Sequence, residues 1–202
     1  MTGTPICMSP IAYIRTPFPD KYGVPRQPGL VPSAIGRIPL SQNLSGAADD
    51  LEGCSHVWLL WWFHGVPEGA GRNKVRPPRL GGNRRKGVLA TRSPFRPNPI
   101  GLSVCPLIGV ERSEGRATIV VGGVDLVDKT PILDIKPYVP YVDEVPNATV
   151  DWVPSAPAQR TVSFDPDVQG WIQTRPELRT LIEQVLAQDP RPATHRDRED
   201  AE

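Results

Sequence analysis

Two short stretches carry the side chains best suited to gripping a small charged ligand. The segment RSPFRPNPIG (92–101) sets Arg92, Arg96 and Asn98 on a backbone stiffened by three prolines. A loop fixed in advance loses little entropy on binding, so its guanidiniums and amide can hold a carboxylate or hydroxyl at small cost. The segment DLVD (125–128) places Asp125 and Asp128 three residues apart, between Gly122-Gly123 and Thr130-Pro131. On a turn, one carboxylate can meet a hydroxyl or a cation while the other braces the loop. Plain turn formation is the competing role for aspartates beside Gly and Pro.

Other chemistries lack their residues. His56 and His64 lie eight positions apart on an extended run, which separates them by roughly 26 Å at about 3.3 Å per residue. They cannot share a metal ion, and no Cys-x-x-Cys pair exists, so no metal site is expected. Gly82 to Gly87 imitates the start of a phosphate loop, but Val88 follows where lysine is required. No Gly-x-Ser-x-Gly elbow occurs.

The elements that must position these clusters read as short strands. Residues 10–16 form a strand closed by Pro17, and 17–33 (PFPDKYGVPRQPGLVPS) holds five prolines and two glycines. A stretch this long without apolar period is a candidate binding loop. His56 to His64 alternates with apolar residues on both faces, which predicts a strand buried on both sides. Further strands are expected at Gly87–Thr91, Ile100–Leu107, Ala117–Gly122 and Ile132–Ile135. Strands so spaced suggest an all-β barrel or sandwich. After about residue 150 the texture changes to a Pro/Ala/Ser linker (153–158) and two helices. Asp165-Pro166 marks the start of the first. Thr174 and Glu177 have capping-box spacing for the second. Leu178, Leu181, Ile182, Val185 and Leu186 make an apolar stripe for packing on the barrel.

The chain of 202 residues has 39% hydrophobic and 22% charged residues, ordinary values, but 25 prolines, which disfavour long helices and central strands. The net charge of +1 conceals a basic stripe: Arg72, Lys74, Arg76, Arg79, Arg84, Arg85, Lys86, Arg92 and Arg96 fall within 71–96 without one acidic residue. Such a stripe suits a polyanion. Residues 1–10 lack the pattern of a secretory leader, and the longest apolar run, Val57–Phe63, is far too short to span a membrane. Three scattered cysteines, Cys7, Cys54 and Cys105, fit buried reduced thiols in a cytoplasmic protein.

The stretches VPRQPGLV (24–31), LEGCSHVWLLWWFHG (51–65), VRPPRLGGNRRKGVLATRSPFRPNPIGLS (75–103), DLVDKTPILDIKPY (125–138) and LAQDPRP (186–192) together resemble the TsaA-like, TrmO-type family of tRNA threonylcarbamoyladenosine methyltransferases. The resemblance implies a mainly β fold: a small antiparallel β-barrel over 5–150 that binds cofactor. A linker and short C-terminal helical extension over 151–202 would follow, truncated relative to two-domain members. It implies S-adenosylmethionine as cofactor and N6-methylation of threonylcarbamoyladenosine at position 37 in the tRNA anticodon loop. It also implies a homodimer with the cofactor site near the interface.

Carried onto this sequence, the cofactor contacts are Pro25, Arg26, Gln27, His64, Gly65, Arg92, Leu102, Asp125, Leu126, Val127 and Asp128. Arg26 or Arg92 would meet the cofactor's carboxylate, Asp125 or Asp128 its ribose or ammonium, and Leu102 and Leu126 its adenine. The tRNA contacts are Arg84, Arg85, Lys86, Asp189 and Arg191. Arg96 would either touch ligand or brace Asp134. No residue stands out as a general base; His64, Asp125 and Asp128 are candidates. Gly65 stands where many members have glutamine, which removes a side-chain contact. Two alternatives keep parts of this reading: the same cofactor with another RNA or a small-molecule acceptor, and a non-catalytic RNA-binding dimer.

Overall fold

The computed structural model describes residue 4 and residues 6–77, 84–153 and 155–191. Among them, eight strands run in the order β1 (Ala12–Tyr13), β2 (Gly36–Pro39), β3 (His56–Trp62), β4 (Lys74–Val75), β5 (Lys86–Gly87), β6 (Ile100–Ser113), β7 (Arg116–Val121) and β8 (Pro131–Pro137). Three helices follow: α1 (Pro140–Asp143), α2 (Pro166–Gln173) and α3 (Pro176–Ala187). Six strands form one antiparallel sheet in the order β1-β8-β3-β6-β7-β2. Its two edges meet through a single bridge among the described residues, in which Arg15 N–H donates to the Arg37 carbonyl at 2.7 Å and the Arg15 carbonyl accepts from Arg37 N–H at 2.9 Å. The sheet is thus a nearly closed barrel, and the helices stand at its C-terminal side of the sequence.

β6 is the strand that bends the sheet into a barrel. Its first half pairs with β3 and its second half with β7, with an irregularity between Leu107 and Gly109. A bulge of this kind locally increases twist and lets one strand turn a corner. The β6–β7 hairpin turns on Glu114 at φ 50° and Gly115 at φ 73°. Two successive left-handed residues match the twist of the flanking strands.

Inward alternation builds the core. Val57, Leu59 and Trp61 of β3 pack with Cys105, Ile119, Val121, Leu126 and Ile132. Burial pushes the Cys105 thiol up to about 12, with the nearby Asp125 carboxylate adding to it. The thiol therefore stays protonated. Cys7, in contrast, is exposed and Cys54 half-buried, so only one of the three cysteines is the buried thiol expected.

Several expectations are corrected. The other face of β3 (His56, Trp58, Leu60, Trp62) is half-buried, not sealed. Among the described residues only β6 and β8 flank it. Its outer side carries Tyr138, whose ring lies 6.3 Å from that of His56 and 5.9 Å from that of Trp58, and α1, whose Asp143 accepts from the Trp58 indole at 3.0 Å. Of the strand expected at Gly87–Thr91 only Gly87 is paired, as the end of Lys86–Gly87. Val88–Ala90 is a 3-10 turn, and the Val88 carbonyl accepts from the Thr91 amide at 3.0 Å and its hydroxyl at 2.8 Å. β2 was not anticipated. Asp165 caps α2 as its sequence suggests, accepting from Asp167 N–H at 3.0 Å. The Thr174–Glu177 box does not form. Thr174 instead ends α2, donating back to the Trp171 carbonyl at 2.9 Å, and α3 begins at Pro176.

The α3 stripe does reach the barrel, with Leu181 and Val185 against the core. It also seats the proline loop: Gln184 Oε1 accepts from the Ser33 amide at 3.0 Å and its hydroxyl at 2.8 Å. Among the described residues no helix is long and apolar enough to cross a membrane.

Candidate functional site

Loop 17–33 is stitched to the turn after β7 at both ends. Gly29 N–H donates to the Gly123 carbonyl at 2.8 Å, and Asp128 N–H to the Phe18 carbonyl at 2.7 Å. The first contact needs glycine. Gly123 sits at φ +61°, and a Cβ there would stand 3.1 Å from Gly29 Cα. The 92–99 segment joins the same region from the other side, because Phe63 N–H at the end of β3 donates to the Pro99 carbonyl at 2.8 Å.

Within this frame Gln27 and Arg92 meet directly, and Asp125 lies within reach of the Arg92 charge without an ion pair between them. The Arg92 guanidinium donates to the Gln27 side-chain carbonyl, and its charge is felt at Asp125. Burial pushes the Asp125 carboxyl up to about 6, opposed by the Ser103 hydroxyl, its own backbone amide and Arg92. Ser103, buried in β6, donates to Asp125 Oδ1 at 2.6 Å. Asp128 has a different task. Its Oδ1 accepts from Thr16 N–H at 3.0 Å, and its Oδ2 lies 3.7 Å from Arg15. One aspartate braces the loop and the other faces the cluster, a division that the spacing allows but does not assign.

The remaining site residues spread around this cluster. Pro25 and Arg26 line a cavity of roughly 150 Å³ between the proline loop and α3, with Val185, Gln188 and Pro190. His64 and Gly65 are exposed at the end of β3, beside Pro99. Leu126 is 1% exposed in the core, so it supports the turn and presents no surface to a ligand. Val127 is half-buried, and its carbonyl accepts from the Thr130 hydroxyl at 2.7 Å. Leu102 lies on the outer face of β6, 51% exposed, opposite the inward Ser103. Leu102 and Asp125 therefore belong to different sides of one sheet. Arg96 donates to the Thr91 carbonyl at 2.9 Å, stiffening its own loop, while Asp134 pairs with Lys136 at 2.8 Å.

The basic stripe forms a separate antiparallel ribbon, β4 with β5, in which Lys74 faces Gly87 and Val75 faces Lys86. Arg84 and Arg85 are exposed and Lys86 half-buried, its ammonium 6.0 Å from the centre of the Trp152 ring. None of the three makes an ion pair among the described residues. Arg79 falls outside the described residues. Asp189 and Arg191 are bonded to each other: Arg191 Nε meets Asp189 Oδ1 at 2.8 Å, and Arg160 Nε meets Oδ2 at 3.1 Å. Arg26 donates to the Arg191 carbonyl at 3.4 Å. Ser103 and Trp61 were missed as site neighbours, since a serine inside an alternating strand reads as core. No group of three or more His, Cys, Asp or Glu that could hold a metal occurs among the described residues.

The nearly closed barrel thus brings Gln27 to Arg92, within reach of the buried Asp125, and carries a separate cationic ribbon, polar groups of the kind that can hold a charged ligand. Comparison with known proteins makes the class specific. The family model of the tRNA-methyltransferase O N-terminal domain matches residues 13–144, and that of the TrmO C-terminal domain matches 157–202. The tRNA (adenine(37)-N6)-methyltransferase of Escherichia coli K12 is 48% identical over 190 residues, 91% of this chain and 81% of that protein. A putative S-adenosylmethionine-dependent methyltransferase RcsF of Pseudomonas aeruginosa is 47% identical, covering 92% of this chain and 82% of that one. The crystal structure of TrmO from Pseudomonas aeruginosa superposes with a TM-score of 0.73 at 39% identity, over 95% of this chain and 84% of that chain. The chain belongs to the TrmO family.

Proposed function

We propose that this protein is an S-adenosylmethionine-dependent tRNA methyltransferase acting on N6 of adenosine 37 in its threonylcarbamoyl form. The observation that carries the reading is the convergence of Gln27, Arg92 and Asp125 from three separate loops, in a chain 48% identical to a protein named for that reaction. Bound there, S-adenosylmethionine would supply a sulfonium-borne electrophilic methyl group. The residues fit it. Arg92 can meet its carboxylate, and Asp125, with Oδ1 held by Ser103, retains Oδ2 for an ammonium or ribose hydroxyl. Gln27 lies beside Arg92, Pro25 and Arg26 would contribute from the neighbouring cavity against α3, and His64 and Gly65 would approach from the end of β3.

In such a displacement the protein contributes mainly alignment of nucleophile and methyl carbon. Loops bearing prolines and tied by the Gly29–Gly123 bond hold that alignment without ordering cost. Of the three candidate bases, Asp128 is engaged by Thr16 and Arg15 and Asp125 would be engaged by Ser103 and the cofactor, which leaves His64 as the candidate to take a proton from N6. Arg84, Arg85 and Lys86, on the ribbon, would bind anticodon-stem phosphates. Asp189 and Arg191, paired with each other and with Arg160, would add to the tRNA contacts at the end of α3, while the Arg191 carbonyl also accepts from Arg26.

The barrel, residues 5–150, would carry the cofactor, and residues 151–202 would brace it. In support, no helix or strand lies between Asp143 and Pro166 among the described residues. A homodimer fits the outer face of β3 and β6, where Leu60, Trp62, Leu102 and Val104 are apolar and half-buried or exposed. Covering that strip would remove an exposed apolar patch and assign Leu102 to the interface.

The deciding experiment incubates the protein with methyl-labelled S-adenosylmethionine and tRNA with or without threonylcarbamoyladenosine, then analyses nucleosides. Label is expected in the N6-methyl derivative, only with the modified tRNA. Label elsewhere, or none in tRNA, overturns the assignment.

A further inference from the structure

The buried hydroxyl of Ser103 belongs to no expected site, yet it joins the core to the cluster. The Trp61 indole donates to Ser103 Oγ at 3.0 Å, and Ser103 donates to Asp125 Oδ1 at 2.6 Å. Trp61 is 6% and Ser103 1% exposed, so no water competes for either bond. The direction of the chain is forced. An indole N–H only donates, so it occupies a lone pair of the hydroxyl and leaves the Ser103 proton for the carboxylate. Trp61 is itself fixed: its ring lies on Gly101, where a Cβ would stand 2.2 Å from Cε2, and Phe63 packs edge-on with centroids 4.2 Å apart. Each link is rigid, from the sheet to the carboxylate.

We propose that Ser103 is a positioning residue: locked between Trp61 and Asp125, it fixes the rotamer of the carboxylate and turns Oδ2 toward the ligand cluster. The inference rests on the proposed role of Asp125 at the cofactor and adds the group that orients it. Around Asp125, the charged and titratable side chains acting on it among the described residues are Arg92 from the 92–99 loop and Cys105 from β6. Arg92 stays cationic and Cys105, pushed up to about 12, stays neutral below alkaline pH. The difference in pH profile between wild type and Ser103→Ala, with His64 common to both, therefore reports Asp125. A hydrogen bond to a charged acceptor is worth about as much as one pH unit of titration.

The test measures S-adenosylmethionine affinity by calorimetry from pH 5.5 to 8.5 in the full chain. Ser103→Ala is expected to weaken binding about tenfold and move its acid limb up by about one pH unit. Trp61→Phe removes the indole donor and part of the ring's volume but leaves the Ser103 hydroxyl free to donate to Asp125, so it should lower the melting temperature while leaving affinity within about threefold and the acid limb in place. If Ser103→Ala fails to fold, the double variant Trp61→Phe/Ser103→Ala leaves no orphaned indole N–H, and the same two changes are expected of it. Folded Ser103→Ala or double-variant protein with wild-type affinity and pH profile overturns the role of Ser103. So does Trp61→Phe shifting the acid limb as far as Ser103→Ala, since packing alone would then explain both. Asp125→Asn separates the two levels: unchanged affinity there withdraws Asp125 from the cofactor and Ser103 with it. Impaired Asp125→Asn beside intact Ser103→Ala overturns only the positioning.

Discussion

Replacing Asp125 by asparagine should make the protein more stable and less able to bind. The folded state raises the Asp125 pKa from 3.8 to about 6, chiefly by burial. At about 1.4 kcal/mol per tenfold in proton affinity, that difference is worth about 3 kcal/mol. Between those two pKa values the folded protein holds a proton that the unfolded chain has released, so stability from this group falls as pH rises through the window and the full cost applies above about pH 6. Asparagine removes the charge but keeps a carbonyl to accept from Ser103. The attraction to Arg92 is already contained in that net shift. A gain of about 3 kcal/mol at pH 8 is therefore expected, or roughly 6–12 °C in melting temperature for a chain of this size. At pH 4 the gain should vanish. The assay is urea unfolding of the ligand-free protein at pH 4, 6 and 8, wild type against variant. A variant no more stable at pH 8 than wild type, or a difference independent of pH, refutes the claim that a buried charge is being maintained there for binding.

Arg92→Ala should weaken cofactor binding by about tenfold or more, the value of one charge-assisted bond, whereas Arg112→Ala, whose guanidinium pairs with Asp49 and Glu52 on the far hairpin, should leave the dissociation constant unchanged; calorimetry compares them. Neutralising Arg84, Arg85 and Lys86 together should flatten the dependence of log affinity for tRNA on log salt by about two to three, read by filter binding across salt concentrations, with cofactor affinity unaltered. Gly101→Ala must push the Trp61 ring off its seat, since the new carbon would stand 2.2 Å from it, and should cost about 3 kcal/mol through overpacking and the lost indole bond; chemical unfolding measures it.

Much of the barrel was written in local patterns. Alternation in His56–Trp62 and Ile100–Leu107 marks β3 and the first half of β6, and Asp165-Pro166 marks α2. What escaped was decided at long range. β2 (GRIP) has a proline and an arginine and becomes a strand only because β7 pairs with it. The second half of β6, Ile108 to Ser113, is extended by the bulge and by the hairpin turn at Glu114-Gly115 rather than by any apolar period. Thr174 satisfies the capping spacing, but the preceding helix claims it first. At the site, residue types near turns pointed to Arg92 and Asp125, and the family resemblance supplied Gln27. Nothing local distinguished Asp125 from Asp128, because the difference lies in Ser103 on one side and Thr16 and Arg15 on the other, residues distant in sequence. Leu126 reads as a ligand contact from its neighbours, but packing draws it into the core.

Closure by a single rung between Arg15 and Arg37 makes the barrel a spring clip rather than a hoop. The clip's free jaw is the chain just before loop 17–33, and Asp128 grips that jaw at Thr16 and Arg15. Displacing the loop at Thr16 would thus strain the Asp128 contacts and the Arg15–Arg37 rung together. The root of the loop and the seam of the ring are one mechanical unit.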